Sequence, residues 1–582
     1  MKYFSRMRAR ACTYDLKPVE RFRLVGQEVS LATALAAIGA AVVIGVGPRG
    51  GDAAAHVYRT LLVRQGAVVW DNLWYAGHYP LASYSLLYYL PASLLGNVPL
   101  VVAAVLATAA LFAAVVVSRW GAAARWPARA FALLACGPLF TGAYSYALGM
   151  AALLGTLRTL QRGRVWLALG AAALTLGFSP LAFVFLCLVL VALGASDRRR
   201  WKRAVVLGLG LALLAGLQLG VLALIPGGAG RYPFSVWRLA SVLIIGTIGA
   251  ALSLRGQEGR LVATFFVVWS LASVLVFLFP SPIGHNMTRL TSVVFPLMLL
   301  TASLSRYHPR PLAWLAVCLA FVYSVGPYVW MIPSRVDDRS ASAAFWAPLL
   351  RFLERHSSPG YRVEVVPTAN HWESYFVPRQ GLALARGWYR QLDIADNPIL
   401  YHRPLTARSY REWLRQMGVK FVVLPRAPLA PMGASWEADL LRSGRSGLRL
   451  VFRTQHGVIY QVPDARAILT GPAPTKVIAV THTRIVAWAE APGTYRLSVR
   501  YTPLWTVMRG DLCLRRTGDG MTQLDVKREG RFVLVVPDEP RRVVASLVDG
   551  ARSACKGHPR RQASVGWRRV SARDDGTGRY LG

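Results

Sequence analysis

Apolar residues in this chain gather into runs of roughly 15 to 22, the length that crosses a bilayer core, and these runs stop near residue 335. Stretches near 27–47, 97–117, 128–142, 144–160, 164–178, 179–196, 204–225, 237–254, 260–280, 289–305 and 312–332 read as spans, about eleven in all. The stretch LASYSLLYYLPASLLG, 81–96, is too short and too proline-broken to cross, so it reads as a re-entrant or interfacial helix leading into the second span. The first run follows a basic tail, 1–26, and ends without a small-residue cleavage site before Pro48, so it is expected to remain as an anchor.

Beyond residue 335 the periodicity changes. Over 336–465, short apolar strands (YRVEVVPT, VKFVVLP, GLRLVFRTQHGVIYQV) alternate with helical pattern such as SYREWLRQMG, which predicts a small α/β domain. Over 466–558, alternating strands broken by Gly, Pro and Asp predict a β-sandwich-like domain, and 559–582 reads as a disordered basic tail.

Composition agrees with a polytopic membrane protein, being 54% hydrophobic with mean hydropathy +0.37. The net charge of +39 would suggest nucleic acid in a soluble protein, but many arginines flank apolar runs, as in DRRRWKR and RTLQRGR. They are topology signals first, and no nucleic-acid partner is expected. With every such cluster cytoplasmic, the N-terminus is cytoplasmic and an odd number of spans puts the C-terminal domains on the other face. Cys513 and Cys555 are the only cysteines in that exported region, which is compatible with a disulfide between them. High Ala, Arg and Gly usage suggests a GC-rich genome and thus a bacterial plasma membrane. Walker A, zinc-ligand and GxSxG patterns are absent from the sequence.

This topology gathers polar residues on one face. The long first outer loop, 48–80, carries Asp52, His56, Asp71 and His78 among Trp70, Trp74 and Tyr75. An interfacial aromatic belt accounts for the Trp and Tyr residues. It does not account for a carboxylate at the helix end, a second one after Trp70, or the histidines. The segment SPIGHNMTRL, with His285, Asn286 and Arg289, falls on the same face. So does 370–393, a candidate lid with His371, Glu373, Arg386, Trp388 and Arg390. Arg59 and Arg64 flank a helix whose apolar face, Val57, Leu61, Leu62 and Val68, is expected to lie flat on the membrane with its arginines toward headgroups. His56 and His78 read as hydrogen-bonding residues before metal ligands. No nucleotide is available outside a bacterial cytoplasm, so an enzyme on that face needs a donor carried by a lipid.

An acidic residue at the outer end of the first span, a long first outer loop with a surface helix, ten or so spans and an exported C-terminal domain resemble the GT-C superfamily of membrane glycosyltransferases. WDNLWYAGHYP and SPIGHNMTRL also resemble segments of uncharacterised bacterial multi-span proteins grouped near it. The commonest pattern in that superfamily has adjacent acidic residues in the first loop, whereas here Gly51 precedes Asp52, a departure that bears on any bound metal.

The resemblance implies an α-helical polytopic membrane domain, GT-C-like, followed by an exported α/β domain and a β-sandwich-like domain. It also implies inverting transfer of a sugar from a polyprenyl-phosphate donor to a glycan, lipid or protein acceptor outside the cytoplasm. On that reading Asp52 is the base, its pKa raised by partly apolar surroundings. Asp71 orients the acceptor, helps hold a divalent cation (Mg or Mn), or replaces Asp52. Arg289, with His285 and Asn286, meets the leaving phosphate, and Trp70, Trp74 and Tyr75 offer a stacking surface for a sugar ring. Two other classes compete. A transporter or flippase is disfavoured by the near absence of acidic residues in the spans, while a non-catalytic membrane scaffold of envelope assembly is kept open by the Gly51 departure.

Overall fold

The computed structural model describes residues 18–47, 50–80, 85–196, 201–224, 231–255, 259–401 and 405–537. Each of the eleven stretches read as spans is mainly helical over its described residues, with 128–142 broken at residues 135–136. Among the described residues six segments are long and apolar enough to cross a membrane: Val19–Val46, Asn97–Thr141, Val236–Ser253, Arg260–Leu278, Gly284–Leu304 and Arg310–Val336. Shorter apolar helices, Val165–Phe178, Pro180–Ser196 and Val205–Gly220, pack among them. These helices make the chain a multi-pass membrane protein. Large apolar side chains such as Leu213, Trp237, Leu271 and Trp330 lie exposed along them, as lipid-facing positions require. Of the stretch 81–96, residues 81–84 lie outside the described residues, and the rest forms a short helix, Tyr89–Leu95, broken from the next one at Gly96. The one acidic residue well inside the first helix, Glu28, is 2% exposed and held by Arg125 and Arg129 at 2.7 and 2.8 Å, the pairing such a site demands.

The described residues of the soluble half form three four-stranded sheets. The first combines β1 (Arg362–Val365), β2 (Val419–Pro425), β3 (Arg449–Arg453) and β4 (Gly457–Gln461) in the order β1-β2-β4-β3. β1 and β2 pair in parallel and the remaining pairs are antiparallel, with the helix Ala343–His356 packing its apolar face on the sheet. The helix Ala407–Gln416 leads into β2 and is opened by a capping box between Thr406 and Ser409, which satisfies two otherwise orphaned N–H groups.

The other two sheets are antiparallel and built from β5 (Leu469–Thr470), β6 (Thr475–Val480), β7 (Arg484–Ala489), β8 (Gly493–Arg500), β9 (Thr506–Arg509), β10 (Leu512–Arg516), β11 (Met521–Val526) and β12 (Gly530–Val535). Their orders are β10-β11-β8-β5 and β6-β7-β12-β9. Ile485, Leu497, Leu524, Phe532 and Leu534 fill one core shared by both sheets, the arrangement of a sandwich. Cys513 is buried on β10 and disulfide-bonded. Cys555 and the basic tail lie outside the described residues.

The first outer loop joins the two halves. Its helix, Ala53–Arg64, buries Ala54, Tyr58, Arg59 and Leu62. The hairpin that follows enters the soluble core: Trp74 Nε1 donates to the Ser374 carbonyl at 2.9 Å and Asn72 Nδ2 to that of Thr481 at 2.9 Å. The helix expected to lie flat on the membrane is packed against protein, with Leu62 buried and Val57 and Leu61 half-buried.

Candidate functional site

Asp52 stands at the start of the helix Ala53–Arg64, where its backbone N–H donates to the Thr141 carbonyl at 3.3 Å. Close packing fixes that position. A Cβ on Gly50 would overlap the Thr141 backbone, and one on Gly142, whose φ is +78°, would overlap Ala53. The Asp52 carboxylate accepts from Arg289 Nη2 at 2.8 Å, and Arg289 Nε donates to Asn286 Oδ1 at 3.0 Å. Arg335 donates to the same Thr141 carbonyl at 3.2 Å. Trp388 Nε1 donates to the Gly51 carbonyl at 2.7 Å, which ties the soluble half to the same turn.

Burial, the largest influence on the Asp52 carboxyl, pushes its pKa up, but Arg289, His56 and Arg335 outweigh it and hold it below the usual carboxylate range. The expected upward shift is thus reversed, because Arg289 and Arg335 converge on this carboxylate.

One helical turn on, His56 Nδ1 lies 2.9 Å from the Tyr89 hydroxyl, which accepts from Arg59 Nη1 at 2.7 Å. Burial pushes His56 down to about 3 against the opposing pull of Asp52, so the imidazole is neutral. Arg59 is 2% exposed, with its guanidinium 4.0 Å from the Tyr89 ring centre and donating to the Pro80 carbonyl. It does not face headgroups, because the segment after the hairpin closes over it. Arg64 is exposed and donates to the Ser93 carbonyl at 3.0 Å.

These groups border a cavity of about 900 Å³ at the junction of the membrane and soluble halves. One part of its wall is apolar and comes from membrane helices: Leu176, Leu181, Phe183, Val184 and Leu188. Another is polar and comes from the soluble half: His371, Trp388, Tyr389, Arg390, Asp396, Arg500, Tyr501, Arg516 and Asp519. The residues of the first outer loop, with Asn286, Arg289 and Arg335, complete the wall. Six arginines (59, 289, 335, 390, 500, 516) line it against three aspartates (52, 396, 519). With His56 neutral, that surplus suits an anionic ligand.

The sequence-predicted residues separate into two groups. Asp52, His56, Trp70, His78, Asn286, Arg289, His371 and Trp388 line the cavity, as does Arg390. Asp71 does not. It is fully buried, accepting from Tyr58 Oη at 2.9 Å, the Leu73 N–H at 3.1 Å and His482 Nδ1 at 2.8 Å. Burial again raises its pKa, but His482, His78 and the Leu73 N–H overcome it and keep the carboxylate ionised.

Trp74 is sealed between Tyr58, at 4.4 Å between ring centres, and His78, at 5.4 Å. Tyr75 donates to the Tyr389 carbonyl at 2.9 Å. His285 packs on Tyr232 and bonds the Pro233 carbonyl. Glu373 accepts from Thr368, and Arg386 is enclosed by Glu364, Asp393 and Glu437. All five of these side chains stand away from the cavity. Sequence reasoning did not select Arg335, Tyr89, Arg500, Tyr501 or Arg516. For Arg335 a signal existed, since an arginine at the end of a span expected to be non-cytoplasmic runs against the positive-inside pattern.

The donor set does not fit a divalent cation, which seeks several oxygen ligands. Asp52 is flanked by Arg289 and Arg335, and Asp71 is enclosed elsewhere. Among the described residues no group of three or more His, Cys, Asp or Glu side chains could hold a metal ion.

Fold and site together define a multi-pass helical membrane protein with a β-rich soluble half and a cationic cavity where the two meet. No family model and no curated protein matches the chain. Among solved structures, the chain is similar to the cryo-electron microscopy structure of arabinofuranosyltransferase AftD from mycobacteria, at 17% identity and a TM-score of 0.44. The match covers 74% of this chain and 40% of that one, so the chain spans less than half the length of that protein.

Proposed function

We propose that this chain is a GT-C-like membrane glycosyltransferase that moves a sugar from a polyprenyl-phosphate donor to a glycan, lipid or protein acceptor on the non-cytoplasmic face. One observation carries this reading: a single cavity has an apolar wall of membrane helices and a polar wall of soluble domain, with an ionised Asp52 paired to Arg289 on its border. A lipid-linked sugar phosphate needs those surfaces together, apolar for the chain, cationic for the phosphate and open to water for the acceptor.

The chemistry follows from the geometry. The acceptor hydroxyl oxygen attacks the anomeric carbon and its proton passes to the Asp52 carboxylate. The bond from that carbon to the phosphate oxygen breaks, both electrons leave with the lipid phosphate, and the anomeric centre inverts. Arg289 and Arg335 face the charge that grows on the phosphate. A carboxylate held below its usual pKa is a weak base but is always in its working form, so proton transfer comes late, when the attacking hydroxyl has become acidic. No step passes through a metal.

The test is native mass spectrometry of purified protein with polyprenyl phosphate and its sugar-bearing forms, together with a transfer assay. Wild type is expected to retain both lipids and Arg289→Ala to lose them. Asp52→Asn is expected to retain them, unfold at the wild-type temperature and lose about a thousandfold in transfer. Retention of bulk phospholipid with neither polyprenyl lipid would remove the reading and favour a scaffold or transporter.

A further inference from the structure

Beside the Asp52 turn, the soluble wall of the cavity presents a histidine whose ring is set by a carboxylate behind it. His371 lines the cavity with its side chain 15% exposed. Its Nδ1 lies 3.2 Å from Glu373 Oε1, while Glu373 Oε2 accepts from Thr368 Oγ1 at 2.6 Å and from the Thr368 N–H at 3.2 Å. The backbone of His371 is in the left-handed region, at φ +56°. Its N–H donates to the Thr368 carbonyl at 3.1 Å, and its carbonyl accepts from the Ser374 N–H at 3.1 Å and Oγ at 2.6 Å. A residue with a Cβ takes that conformation only where its surroundings enforce it, and here the outcome is a ring that bridges Glu373 and the cavity.

The pairing decides what the ring offers. A carboxylate only accepts, so in the neutral imidazole the proton sits on Nδ1, facing Glu373, and Nε2 keeps its lone pair. Among the described residues Nε2 has no hydrogen-bond partner, and it is not one of their buried unmatched atoms, so a ligand in the cavity can reach it. The arginines around the cavity only donate, which leaves Nε2 as a place for a hydroxyl.

The position of the ring narrows the choice of hydroxyl. Trp388, its ring centre 6.5 Å from that of His371, donates to the Gly51 carbonyl at 2.7 Å, and a Cβ on Gly51 would stand 3.5 Å from Asn370 Oδ1. His371 thus belongs to the segment packed on the Asp52 turn. Two hydrogen-bond acceptors on adjoining segments, the Asp52 carboxylate and His371 Nε2, ask for two hydroxyls close together. A sugar ring carries them on neighbouring carbons, whereas a serine, a threonine or a lipid alcohol carries one.

Resting on the transfer reading above, we propose that the acceptor is a glycan and that His371 accepts a hydrogen bond from the hydroxyl next to the attacking one, with Glu373 as a positioning residue acting through His371. The attacking hydroxyl still gives its proton to Asp52. No bond is made or broken at the imidazole.

The experiment uses detergent-purified, full-length protein and follows transfer from undecaprenyl phosphate carrying one hexose or one pentose to a panel of octyl hexosides and pentosides and to a serine peptide, with donor retention read by native mass spectrometry. His371→Phe keeps a ring and loses both nitrogens. It is expected to raise KM for the glycoside about tenfold, with KM for the donor and donor retention as in wild type. His371→Gln, whose carboxamide oxygen accepts, is expected to recover part of the loss. In Glu373→Gln the oxygen stays with Thr368 and the NH2 faces Nδ1, which moves the ring proton to Nε2. That variant is expected to raise KM for the glycoside by itself and to add nothing to His371→Phe, whereas a purely structural role would add a second loss. A loss confined to the donor, a loss equal for donor and glycoside, or no loss overturns the inference and leaves the functional reading intact. So does a wild type that retains the donor but transfers only to the peptide or to no glycoside. A wild type that neither retains the donor nor transfers overturns both. Should His371→Phe unfold the protein, His371→Gln and Glu373→Gln decide by the same ratio of glycoside to donor KM.

Discussion

Two ion-pair clusters in this molecule use the same residue types to opposite ends. In the α/β domain, Arg386 meets three carboxylates, Asp393 at 2.8 Å, Glu437 at 3.0 Å and Glu364 at 3.2 Å, all 4% exposed or less. Tyr410 and Tyr401 donate to the same carboxylates. Burial and the neighbouring Glu437 push Glu364 well above the usual range, so its proton lessens the cluster's negative charge. At the cavity the ratio is inverted, with Arg289 and Arg335 both converging on Asp52. The closed cluster is walled in by protein. The open one lines a cavity, and the cationic surplus of that lining is what a ligand can answer. Residue type does not separate scaffold from site, whereas charge balance and access do.

Three substitutions sharpen the contrast. Arg386→Leu leaves three buried carboxylates without their cation and is expected to destabilise the soluble half by about 3–5 kcal/mol, read as a lowered thermal transition. A variant as stable as wild type would show that the closed cluster is not held by its arginine. Asp71→Asn keeps shape but weakens the bonds from Tyr58 and His482. It is expected to cost about 1–3 kcal/mol and to lower transfer only as far as folded protein is lost, so a transfer defect in fully folded protein would make Asp71 more than a strut.

The smallest effect is a shift in pH dependence. On the proposed mechanism Asp52 works ionised, so activity is present above its pKa and lost as pH falls through it. In wild type that loss lies below the ordinary carboxylate range. Arg289→Ala removes the strongest lowering influence and leaves burial, which raises the pKa, so the acid limb of residual transfer should move upward. A limb that stays in place would separate Asp52 from the titration.

The sequence made the apolar helices and the Asp52 and Arg289 positions readable for one reason. Bilayer thickness sets run length, and charges at the ends of such runs stand out. The strand pattern around TKVIAV and GRFVLVV was equally readable from its alternation. What could not be read depends on contacts distant in sequence. Asp71, Trp74 and Tyr75 look like a surface aromatic cluster until His482, Ser374 and Tyr389 arrive to bury them. Arg386 looks like a lid residue because its partners Glu364 and Glu437 stand 22 and 51 residues away. Arg500 and Arg516 sit in an ordinary strand pattern that says nothing about a cavity.

The hairpin of the first outer loop also constrains how the protein is made. Its partners follow much later in the chain, Ser374 some 300 residues after Trp74 and Thr481 some 409 after Asn72. At ribosomal speeds that separation is about 15 to 80 s. Through that interval the hairpin's Trp and Tyr side chains lack the surfaces that will enclose them. Biogenesis therefore includes a waiting period in which an aromatic segment must be shielded by lipid or chaperone. A soluble half produced alone would lack the strand-like plug around which its core closes.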